Sequence, residues 1–288
     1  FAPLPALLLL LGAAAAPAQG KEEEKEKPPR RIALIGASLS KGFSLHLFTL
    51  FKQDPRAYIE KRLGRKTSDR EYRLRTDTAR PAAILRKAWG GEAVVEVFAD
   101  LNMFRRPDRI GQRQVKRAIR FAPDLVLGMD FLFWFGYGWA PADPEKEKAA
   151  RLEMPQRGLQ LLEELLAKTE ATLILGNYPR LDLAGSFIIS KSQIPSAGAI
   201  EELNAVLHAW AARRKRVHVW PLSGLVGEMY EKGMTRGTGK EQIRHRARDL
   251  LQVDRLHPTR LGTALAMHRL STWWEERRTG RPGILPPG

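Results

Sequence analysis

Five short apolar runs alternate with helical segments between residues 31 and 277, and this alternation constrains the fold more than any other feature. The runs are bounded by glycine, proline or polar residues, as short buried strands usually are. They are Ile32–Ile35, Ala93–Phe98, Asp124–Leu127, Thr172–Leu175 and Val217–Trp220. Strands that alternate with helices pair in parallel through crossover connections. The sequence therefore predicts an α/β fold, a three-layer α/β/α sandwich with a five-stranded parallel, flavodoxin-like sheet.

Helical spacing of apolar residues predicts the segments that connect and follow these strands. The predicted helices are Leu45–Leu63, a segment from Pro81 to about Gly90, Arg109–Phe121, Met154–Lys168, Ile200–Arg213 and Thr259–Arg277. The interval from residue 64 to residue 80 is rich in charged and turn-forming residues. It is predicted to be polar turns and an insertion rather than a helix.

Both ends of the chain differ from its middle in composition. Residues 1–18 are apolar and end in small residues, which predicts a signal peptide cleaved near Ala18 rather than a membrane anchor. Residues 19–30 predict a charged linker, and residues 279–288 a flexible tail. Residues 31–278 then form one predicted domain. The leader and the absence of cysteine favour a periplasmic or secreted protein without a stable membrane anchor.

The chain is strongly basic, with 48 Lys and Arg against 32 Asp and Glu, a formal net charge of +16. Such an excess attracts nucleic acid, anionic lipid or acidic glycans. The basic residues are spread along the chain, however, and no nucleic-acid-binding motif accompanies them. We therefore expect no nucleic-acid partner, but a solvated surface with some affinity for polyanions. The histidines show no metal-ligand spacing, so no metal or other cofactor is expected.

Ser38 follows the first predicted strand directly, at the sheet edge where ligands bind in α/β folds. A serine there can be presented to a substrate with its own amide free to donate. The alternative is that Ser38 only caps the following helix. Asp254 and His257, three residues apart before the last helix, supply the other two groups of a Ser-His-Asp triad.

These residues resemble two sequence blocks of the SGNH, or GDSL-type, hydrolases, a family of esterases and acyl-hydrolases. The first block, Gly-Asp-Ser-Leu, is matched by residues 36–39, where Ala37 replaces the aspartate. The last block, Asp-x-x-His-Pro, is matched in full by residues 254–258. The resemblance covers residues 31 to 274. It implies that Ser38 is the nucleophile, His257 the general base and Asp254 its orienting partner.

The two middle blocks depart from the family's pattern, and both concern the oxyanion hole. Residues 98–102 lack the glycine whose amide usually enters it, so an amide near Asp100 is the expected substitute. The third block usually reads Gly-x-Asn, but here it reads Gly128-Met129-Asp130. An ionised Asp130 would repel the developing negative charge. Asn102 and Asn177 are weaker stand-ins for the missing side-chain donor.

A protonated Asp130 would resolve this conflict. The aromatic residues that follow it could desolvate its carboxyl group, raise its pKa and so leave it able to donate to an oxyanion. On this hypothesis, Asp130→Asn raises turnover near neutral pH. The aromatic run itself, residues 131–139, which include Trp134, suggests a loop that stacks sugar rings or holds an acyl chain. The alternative is that half of these aromatics are core.

The sequence thus favours a secreted or periplasmic serine esterase or deacylase that acts on a small-molecule or glycan ester. A carbohydrate or cell-envelope ester is one such substrate. Two alternatives stay open. One is an SGNH-like protein in which Asp130 has disabled turnover and which binds envelope glycan. The other is an acyltransferase that uses the same triad.

Overall fold

The computed structural model describes residues 29–45, 55–138, 143–182, 189–236 and 242–280, together with residues 141 and 184. The predicted signal peptide lies outside the described residues. So do the predicted linker up to residue 28 and the predicted tail from residue 281.

The central sheet has five parallel strands in the order β2-β1-β3-β4-β5. They are β1 (Arg31–Leu34), β2 (Val94–Val97), β3 (Leu125–Gly128), β4 (Thr172–Gly176) and β5 (Val217–Trp220). This is the flavodoxin-like order, and the predicted fold class is confirmed. Each strand lies within one residue of its predicted bounds. β1, β3 and β4 are buried along nearly their whole length, and uninterrupted apolar runs mark such strands.

Helices cover both faces of the sheet. They are α1 (Ser38–Lys41), α2 (Pro55–Leu63), α3 (Asp69–Thr76), α4 (Pro81–Ala88), α5 (Pro107–Phe121), α6 (Phe133–Gly136), α7 (Pro144–Lys168), α8 (Ala197–Ala212), α9 (Leu222–Glu231), α10 (Ala247–Leu250) and α11 (Arg260–Thr279). Two short 3-10 turns, Leu101–Arg105 and Lys191–Gln193, and an antiparallel pair, β6 (Met234–Arg236) and β7 (Ile243–His245), complete the described elements. Part of the predicted Leu45–Leu63 helix, residues 46–54, lies outside the described residues.

Helix α3 corrects the prediction of polar turns between residues 64 and 80. The Ser68 side chain accepts from the Glu71 amide and caps the helix. Acidic residues occupy the first turn and basic residues the last, which suits the helix dipole. An apolar stripe is weak here, so periodicity alone could not detect the helix.

Alternate strand residues pack into two separate cores. Ala33, Ile35 and Val126 face the core formed with α5, α7 and α8. Ile32 and Leu34 face the opposite core, formed with α4, α9 and α11. The sheet and the helices on its two faces form the three layers. Because helices cover both faces, a ligand site is expected in the loops at the carboxyl edge of the sheet.

β1 and β3 are hydrogen-bonded, parallel neighbours. The chain adds β2 on one side of β1 and then adds β3, β4 and β5 on the other side, so the strand order reverses between β1 and β3. The loops that follow these two strands therefore lie side by side, at the switch point where α/β sheets bind ligands. Ser38 lies in the first loop and Asp130 in the second. Within the described part of the chain, no helix is long and apolar enough to cross a membrane, and no cluster of His, Asp and Glu could hold a metal ion.

Candidate active site

Gly36 follows β1, and the buried side chain of Gln114 holds its backbone on both sides. The Gly36 amide donates to Gln114 Oε1 (2.6 Å), and Gln114 Nε2 donates to the Gly36 carbonyl (2.9 Å). The φ angle of Gly36 is +135°, which disfavours a side chain. A Cβ at this position would also lie 2.2 Å from Asp130 Oδ1. Position 36 therefore requires glycine, whose turn brings the following loop against Asp130.

Asp130, just beyond β3, accepts hydrogen bonds from that loop with both carboxyl oxygens. Oδ1 accepts from the Ala37 amide (3.0 Å), the Ser40 amide (3.3 Å) and the Ser40 hydroxyl (2.6 Å). Oδ2 accepts from the Leu39 amide (2.7 Å). Burial raises the pKa of the Asp130 carboxyl, while the hydrogen bonds from Ser40, Ala37 and Leu39 act in the opposite direction. Because amide N–H groups can only donate, Asp130 serves here as an acceptor that holds the loop.

Ser38 is the first residue of α1, and its amide is not used by this network. The amides on both sides of it bind Asp130, whereas the Ser38 amide has no hydrogen-bond partner among the described residues. The Ser38 side chain is half-buried, and no side-chain hydrogen bond caps α1, so Ser38 is not a helix cap. A free amide beside a serine hydroxyl is suited to bind the oxyanion that forms when that hydroxyl attacks a carbonyl.

His257 is held by the carboxylate of Asp254. Asp254 Oδ2 lies 2.7 Å from His257 Nδ1, and Asp254 Oδ1 accepts from the amides of Leu256 and His257, each at 3.0 Å. Asp254 is fully buried, and the Phe43 ring packs against the imidazole with 4.1 Å between the ring centroids. A hydrogen bond from Nδ1–H to Asp254 places the lone pair on Nε2, which is the form of histidine that acts as a base.

Gln252 joins the His257 loop to the segment that follows α1. Its Nε2 donates to the carbonyls of Phe43 (2.7 Å) and Pro258 (2.9 Å), and its Oε1 accepts from the Leu45 amide (3.0 Å). Its own amide donates to the His257 carbonyl (2.8 Å). The Gln252 side chain is buried, so these bonds are shielded from water. Gln252 therefore positions the loop that carries His257 (residues 252–258, the histidine loop) relative to the segment that carries Ser38 (residues 36–45, the serine loop).

We expect Gln252→Ala to lower both stability and activity. Three hydrogen bonds to backbone groups would be lost, two of them buried and one partly buried, at about 1 kcal/mol each, so the free energy of unfolding should fall by about 3 kcal/mol. Misplacement of His257 should lower kcat for a short-chain ester by about 10²-fold with little change in KM. Urea denaturation and steady-state kinetics measure the two effects. Gln160→Ala, at an exposed position of α7, is the control. An unchanged kcat in folded Gln252→Ala would leave Gln252 a purely structural role.

Ser38 and His257 line the same cavity, which has a volume of about 70 Å³. Its other lining residues are mostly apolar: Leu39, Asp130, Phe133, Pro179, Leu181, Leu222, Leu225, Val226, Met229, Leu251, Leu256, Pro258 and Ala266. No hydrogen bond joins Ser38 Oγ and His257 Nε2 in the described part of the chain. Such bonds are often long in free enzymes and shorten when substrate binds.

Asp100, predicted to lie near an oxyanion donor, is placed elsewhere. Its amide donates to the Gly36 carbonyl (3.0 Å) and is therefore not free to bind an oxyanion. Its carboxylate forms an ion pair with Arg113 and accepts from the Asn102 amide (2.9 Å). Asp100 and Asn102 line a second cavity, not the one that contains Ser38 and His257.

Gly128 and Trp134 do not line the Ser38 cavity either. Gly128 is buried in β3, where a Cβ would lie 2.8 Å from the Leu175 side chain, so it is needed for packing. Trp134 packs partly buried against the core, and it is Phe133 that reaches the cavity. Asn177 accepts from the Ser223 amide with its Oδ1 (2.7 Å) and also lies outside the cavity lining.

Asp130 does line the cavity, and burial raises the pKa of its carboxyl, as the hypothesis of a protonated oxyanion donor requires. Its contacts favour a different role, that of an acceptor for the loop that carries Ser38. Both of its oxygens face donors, and three of the four donors are backbone amides. No local sequence pattern reveals this arrangement, because Asp130 and the residues that donate to it lie roughly ninety residues apart in the chain. Gln114 and Gln252 were missed for the same reason, because a buried glutamine shows no motif.

No protein-family model and no curated protein matches this chain. Solved structures similar to it include a carbohydrate acetylesterase family member from Sinorhizobium meliloti, with 12% identity over 88% of this chain and 100% of that one and a TM-score of 0.46. Another is a psychrotrophic esterase from Pseudoalteromonas sp., with 12% identity over 84% and 94% and a TM-score of 0.42. A third is a GDSL-like lipase from Bacteroides thetaiotaomicron, with 11% identity over 87% and 88% and a TM-score of 0.38.

Likeness at this level does not carry an activity from one protein to another, since one fold serves many functions. What this chain does has to be inferred from its own site.

Proposed function

We propose that this chain is a serine esterase in which Ser38, His257 and Asp254 act as nucleophile, general base and orienting group. The observation that carries this proposal is that Ser38 and His257 line one apolar cavity. In addition, Oδ2 of the buried Asp254 lies 2.7 Å from His257 Nδ1. The free Ser38 amide supports it further, because acyl transfer needs a donor for the oxyanion beside the nucleophile.

In the proposed reaction, His257 Nε2 takes the proton from Ser38 Oγ as that oxygen attacks the ester carbonyl. The Ser38 amide stabilises the resulting oxyanion, and Asp254 stabilises the protonated imidazole. The alcohol leaves with the proton from His257, and an acyl-serine remains. A water molecule, deprotonated by His257, then attacks the acyl-serine, and the acid leaves as Ser38 regains its proton. A sugar hydroxyl in place of that water would make the same site an acyltransferase.

The cavity favours a short acyl group. Its volume of about 70 Å³ is well below the roughly 300 Å³ at which pockets for drug-sized ligands begin. Leucine, methionine and proline side chains form most of its wall, which suits an acetyl or similarly small apolar group. The substrate we propose is an acetyl ester of a carbohydrate or another cell-envelope compound, and a periplasmic or secreted location agrees with the predicted signal peptide.

Two observations favour a second candidate, a glycan-binding protein without turnover. Ser38 Oγ and His257 Nε2 are not hydrogen-bonded in the described part of the chain, and the Asp130 carboxylate lies beside the serine loop. A negative charge near an oxyanion slows acyl transfer. The two candidates differ in whether Ser38 is reactive.

A fluorophosphonate probe separates the two candidates. An activated Ser38 should attack the probe's phosphorus, release fluoride and gain one phosphonyl group, which mass spectrometry of the digested protein would locate on residue 38. Ser38→Ala should take no label, whereas the control Ser192→Ala, at an exposed serine, should be labelled like the unchanged chain. Absence of label in the unchanged chain, together with no hydrolysis of p-nitrophenyl acetate, would contradict the esterase proposal and favour the binding protein.

A further inference from the structure

A second cavity, polar and about 290 Å³ in volume, lies beside the carboxyl end of β2. It is lined by residues 97–102 together with Lys41, Arg113, Gln114 and Arg117. It shares no lining residue with the Ser38 cavity. The two cavities flank one short helix, since Ser38 begins α1 and Lys41 ends it.

The second cavity carries an excess of positive charge. Three cationic side chains line it, those of Lys41, Arg113 and Arg117, against the single carboxylate of Asp100, so its formal charge is 3 − 1 = +2. Arg113 pairs with Asp100. Neither Lys41 nor Arg117 has an acidic partner within the described residues. Like charges held close together repel one another, and a bound anion removes that repulsion.

The two arginines are oriented before any ligand binds. Arg113 and Arg117 lie four residues apart on α5 and therefore on the same side of the helix. The guanidinium of Arg117 lies over the Phe98 ring, 4.8 Å from its centroid, and Asp100 holds Arg113. Stacking occupies the face of a guanidinium but leaves the N–H groups at its edge, which match the oxygens of a carboxylate or phosphate.

We propose that this second cavity is an anion-binding subsite that takes a carboxylate, phosphate or sulfate group, presented by an acidic sugar residue. Its volume exceeds that of an inorganic anion and has room for a sugar ring. The net charge of +16 leads us to expect affinity for polyanions. The proposed subsite is a specific place on the molecule where such a ligand would bind. The proposal concerns binding alone, so it stands or fails independently of esterase activity.

Calorimetric titration of the full chain at low ionic strength tests the subsite. The probes are tetragalacturonate as the acidic oligosaccharide, inorganic phosphate as the free anion and maltotetraose as the neutral oligosaccharide. Each charge-assisted contact contributes about tenfold or more in affinity, so Arg113→Gln/Arg117→Gln should bind the anionic probes at least about tenfold more weakly. The control is Lys116→Gln/Arg120→Gln, which has the same spacing on α5 and the same loss of charge but does not line the cavity.

Full retention of tetragalacturonate binding by the control variant, with loss in the cavity variant, would establish the subsite and its acidic-sugar ligand. Binding of phosphate but not of tetragalacturonate would keep the anion subsite and assign it to free anions. Equal weakening in both double variants would overturn the proposal, because the affinity would then come from diffuse surface charge. So would the absence of anion binding to the unchanged chain, or equal binding of maltotetraose. Thermal denaturation of both variants verifies that they are folded.

Discussion

Replacing His257 with alanine is expected to lower kcat/KM for p-nitrophenyl acetate by about 10⁴-fold or more. The serine hydroxyl is a weak nucleophile at neutral pH, and Asp130 is the one other titratable group in the described cavity lining. Its two carboxyl oxygens already accept hydrogen bonds from Ala37, Leu39 and Ser40, so we do not expect it to replace His257 as the base. The fold should survive, because His257 lies in a loop that Gln252 and the buried Asp254 hold in place. His268→Ala, at an exposed histidine of α11, is the control and should retain full activity.

Asp254→Asn should reduce activity less than His257→Ala, since the base remains present but is poorly oriented. The amides of Leu256 and His257 would still find an oxygen at position 254, while the amide nitrogen of asparagine would face His257 Nδ1 and favour the wrong tautomer. Kinetics of both variants with the same ester measure the difference. If His257→Ala retained activity near that of His268→Ala, the triad would be wrong. Equal losses in the Asp254 and His257 variants would instead give Asp254 a structural role.

The strands and the histidine loop were predictable from sequence for definite physical reasons. A strand buried on both faces must be apolar along its whole length, so β3 and β4 stand out as short uninterrupted runs. Asp254 and His257 lie three residues apart, so one local turn brings them together, and the predicted pairing has its counterpart in the 2.7 Å contact. Features that depend on residues close together in the chain could therefore be predicted from the sequence.

The rest of the site depends on contacts between distant segments. Asp130 meets the serine loop across roughly ninety residues, and Gln252 meets Phe43 across 209. The sequence indicates where a carboxylate lies relative to a strand end, but not which of its neighbours donate to it. The same limit explains why Phe133 rather than Trp134 lines the cavity, since both belong to one aromatic run.

Asp130→Asn is expected to destabilise the protein and to lower the rate of ester hydrolysis at every pH. A donor role for Asp130 would require the opposite effect on the rate. An asparagine oxygen can replace Oδ1 and accept from Ala37 and Ser40, but its NH₂ group would then face the Leu39 amide, donor against donor. One unpaired buried donor costs about 1–3 kcal/mol in unfolding free energy. A loop displaced by about 1 Å at Ser38 should cost about 10²-fold in kcat/KM.

Denaturant unfolding and pH–rate profiles of Asp130→Asn measure both effects, and Asp69→Asn is the control. The Asp69 side chain is 86% exposed, so that variant removes the same charge without disturbing a buried network. If Asp130→Asn were as stable as the unchanged chain and faster near neutral pH, the acceptor role would be wrong, and Asp130 would act on the oxyanion itself. If it were less stable and slower while Asp69→Asn was unaffected, the carboxylate would be the group that sets the serine loop. It would do so by binding the amides of Ala37, Leu39 and Ser40 and leaving the amide of Ser38 for the substrate.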